Sequence, residues 1–194
     1  MFKTKAETLE EISKILKSGK VLPQIRFTLE DYLKDSFHSL ALLKNRGWLN
    51  CPLIVRSSAK IEDGKQHSLA GHFQSVLNVQ GEKAILEAIQ KVIHQFKQKE
   101  DQVFIQPMLQ DVKIAGVAFS KNPSSGAPYI LINYDDSGST DSVTSGNTND
   151  LKAYCQYRYT DIEAPYPLNT VITLLKDLEG IFQTEELDIE FAIN

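Results

Sequence analysis

Cysteine, tryptophan and long apolar runs are what this sequence has least of. Its 194 residues include two cysteines and one tryptophan. Cys51 and Cys155 lie far apart and no CxxC occurs, so neither a disulfide framework nor a zinc site is indicated. They read as reduced, structural thiols of a cytoplasmic protein. No apolar run is long enough to span a bilayer, and the opening MFKTKAETLEEISKIL lacks the apolar core of a signal peptide. Neither GxxxxGK[ST] nor GxGxxG is present, which removes the P-loop and the Rossmann turn. Positive charge is also short. A net charge of −4 and a pI near 5.6 argue against a broad nucleic-acid footprint.

What remains is ordinary for a globular protein: 42% hydrophobic and 24% charged residues, in a chain that fits one large domain or two small lobes. Thr4-Lys5-Ala6-Glu7 fits a capping box, and Ala6, Leu9, Ile12 and Leu16 give one helical face ending near Gly19. KVLPQIRFTL reads as extended, followed by a single helix from about Glu30 to Lys44. A buried strand at Leu53–Arg56 and a polar loop come next, then HFQSVLNV with strand alternation. Gly81 starts a helix with an apolar stripe of Ile85, Ala88, Ile89, Val92 and Phe96. Three strands follow, QVFIQPM, KIAGVAFS and PYILINY. A polar loop from Asp135 to Asp150 leads to a second amphipathic helix with Leu168, Val171, Leu175, Leu178 and Phe182 inward. LDIEFAI is the last strand. The pattern is α+β, not a regular βαβ series. Ending directly after a core-type strand, the chain is expected to be a fragment of a longer polypeptide.

Several residues could carry chemistry, and each has a plainer reading. Alternation on the last strand puts Leu187, Ile189, Phe191 and Ile193 on one face and Asp188, Glu190 and Ala192 on the other. Two neighbouring carboxylates suit Mg²⁺, which typically bridges protein carboxylates and substrate phosphates; a wet edge strand would tolerate them equally. Arg56, delivered by an apolar strand into VRSSAKIEDGKQHSLAGHF, either caps that strand in an ion pair or meets an anion, which serine and glycine N–H groups could also approach. Lys5 falls in the first turn of its helix, where the macrodipole disfavours a cation unless an anion is shared there; otherwise it is a surface lysine. Met108 and Phe104 read as core. His38, His67, His72 and His94 show no metal spacing, though His67 and His72 flank SLAG in the loop.

In order along the chain, KTKAETL, VRSSAKIED, SLAGHFQSVLNV, VFIQPML, IAGVAFSKNPSSG and LDIEFAI resemble the ATP-binding domain of the phosphoenolpyruvate synthase and pyruvate phosphate dikinase family. The resemblance covers essentially the whole chain. It implies an ATP-grasp-like fold with nucleotide in a cleft between two lobes, residues 1–108 and 109–194. It assigns Lys5 and Arg56 to the ATP phosphates, and Ser68 and Gly71 to a loop closing over them. Gln106 and Met108 fall near the adenine, and Asp188 and Glu190 on the ribose and Mg²⁺ side, Glu190 being the metal ligand. In that family ATP passes a pyrophosphoryl group to a histidine on a separate domain and AMP leaves. The implied partners are therefore ATP and the histidine-carrier and acceptor-binding domains of the same longer chain, with no nucleic acid and no membrane.

Three departures stand out. The family's glutamine, in a QxR motif past the DIEF strand, is not in the sequence, nor is the histidine domain. The usual GLGE-type loop is replaced by GSTDSVTSG, with Asp141 where the glutamate stands. The last change points toward a divergent branch, of which the L-glutamine kinase of capsule phosphoramidate synthesis is the favoured example, with pyruvate next as acceptor. The alternative is a non-catalytic nucleotide-binding sensor module, against which stand Lys5, Arg56, Asp188 and Glu190.

Overall fold

The computed structural model describes residues 3–59, 75–137 and 151–194. The α+β expectation holds, with two four-stranded antiparallel sheets and flanking helices. The chain divides into two compact units, one of residues 1–15 and 20–108, the other of 16–19 and 109–194.

The first unit is built on strands β1 (Ile25–Thr28), β2 (Leu53–Ser58), β3 (Val76–Val79) and β4 (Gln102–Pro107), in the order β1-β4-β2-β3. Among the described residues four α-helices accompany them, α1 (Lys5–Ile12), α2 (Leu29–Lys34), α3 (Ser36–Asn45) and α4 (Glu82–Ile93), with a 3-10 turn at Trp48–Asn50. Alternation sorts the sheet into two faces. Ile25, Phe27, Leu53, Val55, Val103 and Ile105 bury one face in a core shared with Leu43 of α3 and with Ile85, Ala88, Ile89 and Val92 of α4. Each such side chain contributes roughly 1.5–3 kcal/mol on burial. The stripe expected on α4 is thus its packing face, with Phe96 partly buried against the same core.

The other face carries Arg26, Arg56, Ser58, Gln102 and Gln106 together with the apolar Ile54 and Phe104. Arg26 of β1 and Arg56 of β2 sit directly opposite Phe104 of β4, one on each side, and Ser58 sits opposite Gln102.

Where a single helix is expected over Glu30 to Lys44, there are two. Asp35 adopts an extended conformation (φ −151°, ψ 93°) and its carboxylate accepts from the N–H groups of Phe37 at 3.0 Å and His38 at 3.2 Å. Asp is a strong N-cap, so α3 restarts there. Thr28 caps α2 through a full capping box with Asp31.

The second unit contains β5 (Ile114–Phe119), β6 (Tyr129–Asp135), β7 (Lys152–Tyr157) and β8 (Asp188–Ile193) in the order β7-β6-β5-β8, with α5 (Leu168–Phe182) on one face. Leu168, Val171, Ile172 and Leu175 of α5 pack on Ala118, Ile130 and Ile132, joined by Ile189, Phe191 and Ile193 of β8. Gly116 lies beneath this layer: a Cβ there would stand 2.4 Å from the Asn133 carbonyl oxygen and 2.8 Å from the Phe191 ring. Residues 16–19 join this unit because the Asp177 carboxylate accepts from the N–H groups of Lys17 and Ser18 and the Ser18 hydroxyl. β7 has no counterpart among the expected strands. Its burial alternates only between exposed and intermediate, so no apolar pattern marks it.

Candidate functional site

In the first unit the candidate residues gather on the polar face of the sheet. The capping box expected at Thr4 is present, with Thr4 as N-cap and Glu7 at N3, and Lys5 is the first residue of α1. The end of α1 is tied to the sheet from several sides. The Ala6 N–H donates to Ser58 Oγ at 2.8 Å, and the Thr4 hydroxyl donates to Gln102 Oε1 at 3.1 Å. Gln102 Nε2 donates in turn to Glu7 Oε1 at 3.0 Å, and Gln24 Nε2 to the Ala6 carbonyl at 2.7 Å. Arg26 reaches Glu10 at 2.8 Å and Glu7 at 3.5 Å. Thr4 and Ala6 are buried while Lys5 between them is half-buried. The network therefore fixes the helix turn that bears Lys5 against the end of β2, two residues beyond Arg56.

Arg56 is half-buried and its guanidinium lies over the Phe104 ring, 5.8 Å from the centroid. A planar cation resting on an aromatic face loses rotamer freedom before any ligand arrives, which suits a group meant to present a fixed fork. Gln106 shares this face and is buried, with Nε2 donating to the Leu22 carbonyl at 3.1 Å. Met108 follows the strand end, half-buried, its N–H donating to the Pro52 carbonyl at 2.8 Å. Ser68 and Gly71 lie outside the described residues, as do His67, His72 and Asp141.

In the second unit the alternation read from LDIEFAI is observed. Ile189, Phe191 and Ile193 face the α5 core, while Asp188 and Glu190 face the opposite side of the sheet and are exposed. β8 is an edge strand. Among the described residues no three His, Cys, Asp or Glu side chains cluster as a metal site. That donor set does not suit Zn²⁺ or an all-protein Ca²⁺ cage. It does fit Mg²⁺, which binds through one or two carboxylates and keeps water and phosphate oxygens as its other ligands. The fit is chemical: two hard oxygen donors on one face.

Sequence reasoning missed two things. One is the Arg26–Glu7–Gln102 network around α1. The signal was available, since Gln102 has the same strand parity as Phe104 and Gln106. The other is Asn133, half-buried in the middle of β6, on the same face as Glu190 and one strand removed from it.

In the first unit Lys5 opens α1 beside the strand that carries Arg56, and in the second Asp188 and Glu190 share the face of β8 opposite α5. The particular family follows from comparison: the family model described as pyruvate phosphate dikinase, AMP/ATP-binding domain, matches residues 3–164, and the chain belongs to that family. It is also similar to a curated protein of Bacillus subtilis (strain 168) described as uncharacterized phosphotransferase YvkC, with 26% identity over 154 residues. The match covers 72% of this chain and 18% of that protein's length. Among solved structures, D-alanine–D-alanine ligase from Helicobacter pylori aligns over 97% of this chain and 45% of its own, with TM-score 0.46 and 15% identity.

Proposed function

We propose that this chain is the ATP-binding domain of a dikinase-type phosphotransferase that acts on Mg·ATP. Family membership over residues 3–164 carries the reading, and the fixed placement of Lys5 beside the end of β2 supports it. Lys5 and Arg56 hold the triphosphate, Arg56 by a planar fork and Lys5 as a point charge on the first turn of α1. Glu190, with Asp188 beside it, holds Mg²⁺, which supplies charge neutralisation to the phosphates when bound. Gln106 and Met108 lie toward the adenine.

The chemistry proposed is transfer of the pyrophosphoryl group to a histidine on a separate domain. The histidine nitrogen attacks the β-phosphorus, the bond between the β-phosphorus and the α,β-bridging oxygen breaks, and AMP leaves carrying that oxygen. The acceptor favoured is the amide of L-glutamine, on the strength of the GSTDSVTSG replacement, with pyruvate next. This chain's residues serve that step by positioning and by electrostatic stabilisation, which is most of what phosphoryl transfer asks of a protein.

The test is calorimetry of ATP binding with and without Mg²⁺. Glu190→Gln removes the charge a hard cation wants and keeps the size, so it should weaken Mg·ATP binding much more than metal-free ATP binding. Arg56→Ala should weaken both, because its partner is phosphate. If Glu190→Gln leaves the Mg²⁺ dependence intact, the carboxylates are a solvated edge and the metal assignment falls.

A further inference from the structure

We infer that Asn133 is a further ligand-binding residue of the second unit, donating its side-chain amide to a phosphate oxygen of the nucleotide held at Glu190. The inference rests on the Mg·ATP reading above and extends it to a residue on another strand.

Register makes the case. Val117 of β5 is the direct partner of Glu190 on one side and of Asn133 on the other. Directly paired residues in an antiparallel sheet project from the same face. Glu190, Val117 and Asn133 therefore form one row across three strands, on the face opposite α5. With neighbouring strands about 4.8 Å apart, the two polar residues stand roughly 9–10 Å apart at their Cα atoms. Their side chains rise on either side of the short Val117. That spacing is too wide for the two to bond each other and suits a ligand as broad as a metal–phosphate group.

The surroundings of Asn133 give a second argument. Its neighbours on this face are Val117 and Ala153 across the strands and Leu131 and Asp135 along β6. An amide is unfavourable in the middle of a strand and costs free energy when it leaves water without a partner. Asn133 is half-buried, and no side-chain hydrogen bond from it occurs among the described residues. Asp135, one step further along the same face, is spoken for: it is buried, and its Oδ1 accepts from the Ser137 N–H at 2.6 Å. Val, Thr or Leu would fill the Asn133 position at no cost to the sheet. A phosphate oxygen would give this amide the partner it lacks among the described residues.

The experiment measures binding of α,β-methylene ATP, which resists cleavage between the α- and β-phosphates, to the full-length protein by calorimetry. It is run with and without Mg²⁺ on wild type, Asn133→Ala, Asn133→Thr and Asn133→Asp. A lost hydrogen bond to a charged oxygen predicts roughly ten- to hundredfold weaker binding in the Ala variant, in both metal conditions. The Thr variant, which suits a strand, should fold normally and bind as weakly as Ala. Asn133→Asp keeps the shape but sets a negative charge against phosphate, and should bind most weakly without metal. Wild-type affinity in both Ala and Thr, beside a clear loss in Glu190→Gln, overturns the Asn133 assignment and leaves the Mg·ATP reading standing. No binding by the wild-type protein would remove both.

Discussion

Glu7 ties a helix, a strand and an ion pair through one carboxylate. Its titration is held below the ordinary glutamate value of 4.5, first by the hydrogen bond from Gln102. Partial burial opposes the shift, and bonds from Thr4 and the Arg26 charge add to it. A carboxylate whose folded value is depressed stabilises the fold above its unfolded value, and that stability is lost as pH falls through the folded value. Glu7→Gln should therefore lower the melting temperature at neutral pH, and the deficit should narrow as the solution is acidified below 4.5. The side chain is still 30% exposed, so the effect is no more than about 1 kcal/mol. Thermal melts across that range test it; a deficit constant down to acid pH would assign the loss to packing and hydrogen bonding alone. At this scale Lys5, Arg56, Asp188 and Glu190 stood out as candidates because charge is conspicuous against an apolar strand or a helix start. Gln102 and Asn133 were not, because a neutral amide in a strand reads as a tolerated surface residue until its partners, or their lack, are seen.

Elements were legible where burial imposes a period. The stripes of α4 and α5 and the alternation of β8 follow directly from which side meets the core. β7 was not legible, since a polar edge strand gains its place from backbone pairing with β6 and needs no apolar face. The join between α2 and α3 was hidden for another reason: one aspartate restarts the helix by satisfying two N–H groups at once. Gly116 in β5 illustrates a demand set by close approach. Gly116→Ala would press a methyl group into the Asn133 carbonyl, which as backbone cannot swing away, and into the Phe191 ring. The expected cost is about 1–3 kcal/mol, felt as a lower melting temperature of the second unit. An unchanged melting curve would mean that β5 and β6 separate freely at this point.

For the whole molecule, the two units have separate cores and unlike polar faces, and the family match at residues 3–164 extends through most of both. Their aromatic residues are distributed just as unevenly. Trp48, the single tryptophan, lies under the Arg46 guanidinium and packs against the core of the first unit. Six of the seven tyrosines belong to the second, among them Tyr129, Tyr157 and Tyr159, whose rings meet edge to face at 5.7 and 5.5 Å. Nature has in effect installed a different optical label in each half. Red-edge excitation reports Trp48 and so the first unit alone, while near-ultraviolet dichroism of tyrosine is weighted to the second. Coincident denaturation curves by the two signals mean that the units unfold as one cooperative system; separated midpoints mean that they do not. Because the first unit carries Lys5 and Arg56, ATP added without metal should move the tryptophan midpoint more than the tyrosine one. Equal shifts of both would show that Lys5 and Arg56 contribute no more to metal-free binding than the second unit does.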